Sequence, residues 1–377
     1  MYLLRAPVSK FGKLPPNFPL ISSEIKFTMN VAYCQHFYWY RVHIQQGCED
    51  VTPKLFKKLR KEREFKQVIF LADGGIGDVL WNLPFIYNTK KLHPTCLIGV
   101  ITSARNKAIF ANLDYVNFTA ENNIWNVEGL MRHADEVYDF GGMATMEKKY
   151  KEWDPVDATF DMAEIKRPKD LADMVPQISL TNDEGKKTVA HLKEKKIDVD
   201  KGKIVSICLH SSTPNRNYPL EHIKALSKKL QEEGNSVIWL GTEEKYNDSA
   251  ILAWCDKNKI HNLVNQTSLR EAFCILALSD LFIGPNSALM VAAASLGTPT
   301  IAIFGAFRAA HRCKYYEKFL AIEGKRACSP CSEHWTECSQ GYPAPCMTQI
   351  FPQVVFEKAL MMMKKYPKHL IQKKPIS

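Results

Sequence analysis

A glycine-rich turn, Asp73-Gly74-Gly75-Ile76-Gly77-Asp78, lies between a β-rich apolar run and a helical pattern. Gly74, Gly75 and Gly77 let the backbone come close to a ligand, and a helix N-terminus offers unpaired N–H groups to an anion. No Gly-Lys-Ser/Thr follows, so the turn is not a P-loop, and it lacks the G-x-G-x-x-G spacing of a dinucleotide fingerprint. Instead it carries a carboxylate, Asp78, on the first helical turn at the crevice side of a sheet. A carboxylate there can accept a proton from an attacking hydroxyl; the alternative reading is a residue that caps the helix and complements its dipole.

Three further segments hold chemistry-bearing residues. The strand pattern Ile204 to His210 runs into Ser211, Ser212 and Arg216 on a loop before a helix, and hydroxyls with a fixed, always-charged guanidinium suit a phosphate. Gly284-Pro285-Asn286-Ser287-Ala288 joins a buried strand to a helix of small residues, and this corner would turn backbone amides and a hydroxyl toward an anion. Cys328, Cys331, Cys338 and Cys346 form a C-x2-C-x6-C-x7-C set in a Pro- and Ser-rich loop. Four thiolates could close around structural zinc or iron, with His334 as a substitute ligand; disulfides and free thiols are the other readings.

The elements that position these residues alternate along the chain as in a parallel sheet with crossover helices. Predicted strands are Gln67 to Ala72, Cys96 to Thr102 and Glu136 to Phe140, then Ile204 to His210, Ser236 to Leu240, Leu281 to Gly284 and Thr300 to Phe304. Predicted helices include Asp183 to Lys195, Glu221 to Glu233 ended by Gly234, and Pro352 to Lys365. The division expected is an N-terminal extension over residues 1–62, an α/β domain over 63–180, a second over 181–350 with a Cys-rich loop at 326–347, and a C-terminal helix and basic tail over 351–377. Residues 148–203, rich in charge and turn formers, read as the connection between the domains.

At 377 residues, with 46% hydrophobic and 24% charged, the chain reads as folded, with room for two to three domains. No stretch supplies about 20 uniformly apolar residues, and prolines and lysines interrupt the first 30, so neither a membrane helix nor a signal peptide is expected and the protein reads as cytoplasmic. Its net charge of +10 favours phosphate-bearing partners: nucleotides, nucleic acid or an anionic membrane surface.

Together these segments resemble the heptosyltransferases, the family-nine glycosyltransferases of the GT-B fold. Gly77-Asp78-Val79-Leu80 with Leu83-Pro84 is similar to the family's opening motif, and His210-Ser211-Ser212 with Arg216-Asn217-Tyr218-Pro219 to its central phosphate loop. Leu240-Gly241-Thr242-Glu243 resembles the strand end that holds the ribose; Gly284 to Ala288 with Gly297-Thr298-Pro299 and Phe304-Gly305 resembles the sugar-nucleotide signature. The resemblance implies two Rossmann-like α/β domains facing across a cleft. Asp78 matches the catalytic base. Gly75, Gly77, Ser211, Ser212, Arg216, Glu243, Asn286, Ser287 and Ala288 match the donor side, with Glu243 or Glu244 at the ribose. It implies a nucleotide-diphosphate sugar such as ADP-heptose as donor, a glycan, lipid-linked or protein acceptor, and catalysis without a divalent ion. Asn286, Ala288 and Val291 stand where the family usually has Asp, Gly and His. Two rival readings follow: a transferase acting on nucleic acid, suited to the basic segments Lys54 to Arg63 and Lys364 to Lys374, and a non-catalytic nucleotide-sugar binder.

Overall fold

The structure, a computed structural model, describes residues 2–5, 31–34, 49–50, 67–131, 134–140, 154–163, 165–199, 201–331 and 338–367. The basic segment at 54–63, the aromatic run at 36–40 and the tail from 368 lie outside these. Contacts divide the chain into two compact units.

The first unit takes in Met1–Asp73, Thr89–Ala104 and Tyr115–Gly141. Its small antiparallel sheet has β1 (Tyr2–Arg5) between β2 (Val31–Cys34) and β3 (Glu49–Asp50), in a segment that carried no strand signal legible in sequence. A parallel sheet follows, built from β4 (Gln67–Leu71), β5 (Leu97–Thr102), β6 (Phe118–Glu121) and β7 (Glu136–Asp139) in the order β6-β5-β4-β7. Val68, Ile69 and Phe70 of β4 are wholly buried, which is why the strand reads as an unbroken apolar run rather than an alternating one. β6 escapes a sequence reading because it is four residues long and only partly buried. Helix α1 (Ile76–Leu92) leaves β4, and α2 (Ile124–Met131) sets Val127 on Ile69, Ile101 and Val137.

The second unit comprises Gly74–Asn88, Arg105–Asp114 and Gly142–Ser377. Where composition suggests a boundary near residue 180, the contacts group the glycine turn, most of α1 and everything from Gly142 onward together. The supposed connection holds α3 (Pro155–Met162), with Pro155 at its first position and Asp154 accepting from the Val156 amide, and α4 (Asn182–Glu194). Then come β8 (Ile204–Cys208), α5 (Leu220–Glu232), β9 (Ser236–Leu240), α6 (Ser249–Lys257), β10 (His261–Asn262) and α7 (Leu269–Leu278). The chain continues through β11 (Leu281–Pro285), α8 (Ala288–Ser295), β12 (Thr300–Phe304), β13 (Phe319–Glu323), α9 (Pro345–Thr348) and α10 (Pro352–Lys365).

All six strands pair in parallel, in the order β10-β9-β8-β11-β12-β13. This is the doubly wound arrangement, in which crossovers leave in opposite directions on either side of β8 and β11, and ligands bind outside the carboxyl ends at that switch point. Five-residue strands with every position buried explain why β8, β11 and β12 are continuous in sequence. Amphipathic α5 packs Ile223, Leu226 and Leu230 into the same core as Trp239 and as Val355, Ala359 and Met363 of α10. Gly234, at φ +81°, ends α5 as expected.

α4 opens with a capping box, Thr181 and Glu184 each holding the other's backbone amide. Glu184 also takes two bonds from Arg270 of α7, at 2.7 and 2.9 Å. This guanidinium first, with the Thr181 bonds opposing desolvation, pulls the Glu184 carboxyl down to about 2. A depressed acid stabilises the fold above its unfolded value and loses that contribution as pH falls through the folded one. Glu184→Gln is therefore expected to lower Tm at neutral pH, with the difference from wild type shrinking below about pH 4.5 and vanishing near pH 2, as followed by thermal melts across pH.

Candidate active site

The glycine turn leads directly into α1, whose first helical bond runs from the Val79 amide to Gly75 O. Asp78 folds back over the turn and accepts a hydrogen bond from the Gly75 amide. A Cβ on Gly75 would stand 2.9 Å from Asp78 Oδ2, so the absent side chain gives the carboxylate its place. Gly75→Ala is expected to push the carboxylate aside and reduce turnover about 10²-fold with nucleotide affinity unchanged, since small misplacements of a reacting group have effects of that order. Steady-state kinetics alongside ADP titration would check it.

The loops after β8 and β11 meet. Ser211 Oγ and Arg216 Nη1 both donate to Asn286 O, at 2.9 and 3.1 Å. Arg216 also bonds Thr213 Oγ1 through Nε and Ser212 Oγ through Nη2, both at 2.6 Å. Asn217 Oδ1 accepts from the Ser211 amide, and buried Tyr218 anchors the loop through its hydroxyl on Ile350 O. Ser287 caps α8 and donates to Cys208 Sγ, while Ala288 lies against Gly77, whose added Cβ would sit 3.7 Å from Ala288 Cα. The Asn286 side chain is buried and its Nδ2 has no hydrogen-bond partner. Such an orphan donor at a switch-point corner is a vacancy suited to a ligand acceptor atom. Glu243, at the end of β9, faces His210 Nε2 at 3.9 Å and pairs with Lys245. Val291 is wholly buried in α8 and does not reach this surface.

Sequence reasoning missed Arg312. Its guanidinium lies 5.6 Å from the Trp81 ring, one helical turn beyond Asp78, and 4.7 Å over Phe307, a ring that Arg216 approaches at 5.9 Å. Only 2% of Arg312 is exposed. Burial pushes the Asp78 carboxyl above its ordinary value; Arg312 is the strongest influence pulling it back, followed by the Gly75 amide and Arg216. Both guanidiniums are drawn down to about 10 by burial and stay protonated at neutral pH. Asp154 also acts on Arg312, and burial raises its own carboxyl to about 6. Two buried guanidiniums thus act on half-buried Asp78, and Arg312 on buried Asp154 as well, a set that can hold an anion beside a carboxyl. The crevice rule that selects the loops after β4, β8 and β11 also covers the loop after β12. Among Arg308, Arg312 and Lys314, however, no spacing marks the one that turns inward.

The Cys-rich loop does not assemble as expected. All four thiols are free; Cys328 and Cys331 are exposed, Cys338 is half-buried and Cys346 is buried. Cys346 belongs to the core on α9, its Sγ packed where a Cβ on Gly305 would come within 2.6 Å. Its thiol is pushed up by burial, then by Cys338, Cys331 and Cys328. Among the described residues no three His, Cys, Asp or Glu side chains are placed as a metal-holding group. His334 lies outside the described residues.

Two parallel-sheet α/β units define a GT-B protein, and solved structures agree. E. coli ADP-heptose LPS heptosyltransferase II superposes with a TM-score of 0.60 at 17% identity, covering 80% of this chain and 99% of that one. The iron-containing dodecameric glycosyltransferase TibC from E. coli H10407 gives 0.60 at 13%, covering 81% and 78%. The model of glycosyltransferase family 9 (heptosyltransferase) matches residues 144–340, just over half of the chain, and the protein belongs to that family. Lipopolysaccharide heptosyltransferase 2 of Salmonella typhimurium is 29% identical over 101 residues, 24% of this chain, and the match spans 28% of that relative's length. No helix among the described residues is long and apolar enough to cross a membrane.

Proposed function

We propose that the protein transfers a sugar, heptose-like, from a nucleoside diphosphate donor to an acceptor hydroxyl, with Asp78 as general base. The observation that carries this reading is the half-buried Asp78 carboxyl on the glycine turn, on which the buried Arg312 and Arg216 guanidiniums act. Asp78 takes the acceptor proton as the hydroxyl oxygen forms a bond to the anomeric carbon. The bond from that carbon to the donor phosphate oxygen breaks, and the diphosphate leaves with the electron pair. Arg216, Arg312 and the amides at the start of α8 stabilise the leaving charge, while Ser211 and Ser212 fix the loop that carries Arg216. Glu243 lies where a ribose would be held. No step is routed through a divalent ion. The related TibC is iron-containing, and no metal-holding group of side chains stands among the described residues of this chain.

The family and the names of its relatives favour ADP-heptose as donor and a lipopolysaccharide-type acceptor. A protein or nucleic-acid acceptor would use the same base. The charge of +10 suits work at the inner, anionic face of a membrane. The test incubates purified protein with a panel of nucleotide sugars, ADP-heptose included, following thermal shift and nucleotide release with and without acceptor glycans. Stabilisation by one donor, with release that an acceptor accelerates, is the expected result. Stabilisation without release across all acceptors selects the non-catalytic reading, and no stabilisation by any nucleotide sugar sinks the donor assignment.

A further inference from the structure

A cavity of about 340 Å³ opens beside the buried charge set, lined by Asp154, Asp157, Asp161, Arg167, His311 and Lys314. None of these residues belongs to the phosphate-facing loops. Asp157, nearly buried at the N-terminal turn of α3, accepts from Lys314 Nζ at 2.7 Å and from the Tyr315 hydroxyl, and faces Arg167 Nε at 3.3 Å. Asp161, one turn on, pairs with Arg167 Nη2. Asp154 is 6% exposed.

The chemistry of the lining selects its ligand. Each permanent cation is already ion-paired, so a phosphate entering here would meet three carboxylates and no uncommitted positive charge. A neutral polyol has the complementary character: every hydroxyl can donate to a carboxylate oxygen and accept from the remaining N–H groups of Arg167 or Lys314. The volume is at the small end of ligand sites, the size for one saccharide ring rather than a nucleotide. Asp154 lines the cavity, and its carboxyl and Arg312 act on one another, as Arg312 and Asp78 do.

We propose that this cavity is a subsite that binds a single neutral glycosyl unit, with Asp157, Asp161, Arg167 and Lys314 as its hydrogen-bonding wall. The proposal rests on the transferase reading above. The test titrates the full chain with methyl glycosides of heptose, glucose and galactose by saturation-transfer NMR, with inorganic phosphate as competitor and ADP-induced thermal shift measured in parallel. Two rim variants, Asp161→Asn and Lys314→Gln, avoid the buried Asp157. At least one glycoside is expected to saturate the wild type, and each variant to bind it about tenfold more weakly, the effect of one lost hydrogen bond to a charged group, with the ADP shift unchanged. Glycosides that do not saturate, variants that bind as wild type does, or displacement by phosphate would overturn the subsite. Absence of an ADP shift in the wild type would sink the donor reading instead, while the glycoside titration still decides the cavity.

Discussion

Asp78→Asn is expected to lower turnover about 10²- to 10⁴-fold, the range for loss of a positioned general base, while ADP binds at least as tightly as to wild type. The amide keeps the shape of the carboxylate and can still accept from Gly75, so the turn is preserved. It cannot take a proton. It also removes the negative charge that faces Arg312 and Arg216, leaving both guanidiniums freer to attract a diphosphate. Stability moves the other way from activity. An acid whose folded pKa is raised stabilises the fold below its unfolded value and loses that contribution as pH rises through the folded one, so ionising Asp78 weakens the fold. The variant should melt at the wild-type temperature or above it. Unchanged turnover would remove Asp78 from the mechanism, and a parallel loss of Tm, ADP affinity and turnover would mark it as a helix-capping residue.

Arg312→Gln tests the residue that sets the charge of the base. Removing a buried cation leaves Asp78 and Asp154 without their shared partner, a loss of about 3–5 kcal/mol where a buried pair is broken. Both carboxyls should then titrate higher than before; Asp154, already at about 6, is pushed further up. The acid limb of the pH–rate profile follows, moving to higher pH, so that the variant's activity relative to wild type recovers as pH rises. The aromatic faces of Trp81 and Phe307 remain to receive Arg312→Lys, which keeps the charge and should restore the wild-type acid limb although it lacks the planar fork. A fall in Tm with an unmoved acid limb would reduce Arg312 to a packing residue.

The sequence determined whatever depends on neighbours along the chain. Strand cores such as Ile204–Cys208 and Thr300–Phe304 are legible because full burial demands unbroken apolar runs. The glycine turn, the Ser211 to Arg216 loop and the Asn286-Ser287 corner are legible because each is a few residues at a strand's carboxyl end, where the parallel topology opens a crevice. Family membership is legible too, in the stretch 144–340 that the family model matches. Tertiary structure alone decided what depends on packing between distant segments. It set Arg312 between the influences of Asp78 and Asp154 while leaving Arg308 exposed, and neither periodicity nor spacing distinguishes those arginines. It turned a charged stretch that composition marks as a connection into the wall of a cavity. It buried Cys346 in the core while Cys328 and Cys331 face solvent, so equal residue types in one motif have unequal chemistry. The reason is the same in each case: charge and hydrogen-bond energies depend on burial and distance in space, which side-chain identity along the chain does not encode locally.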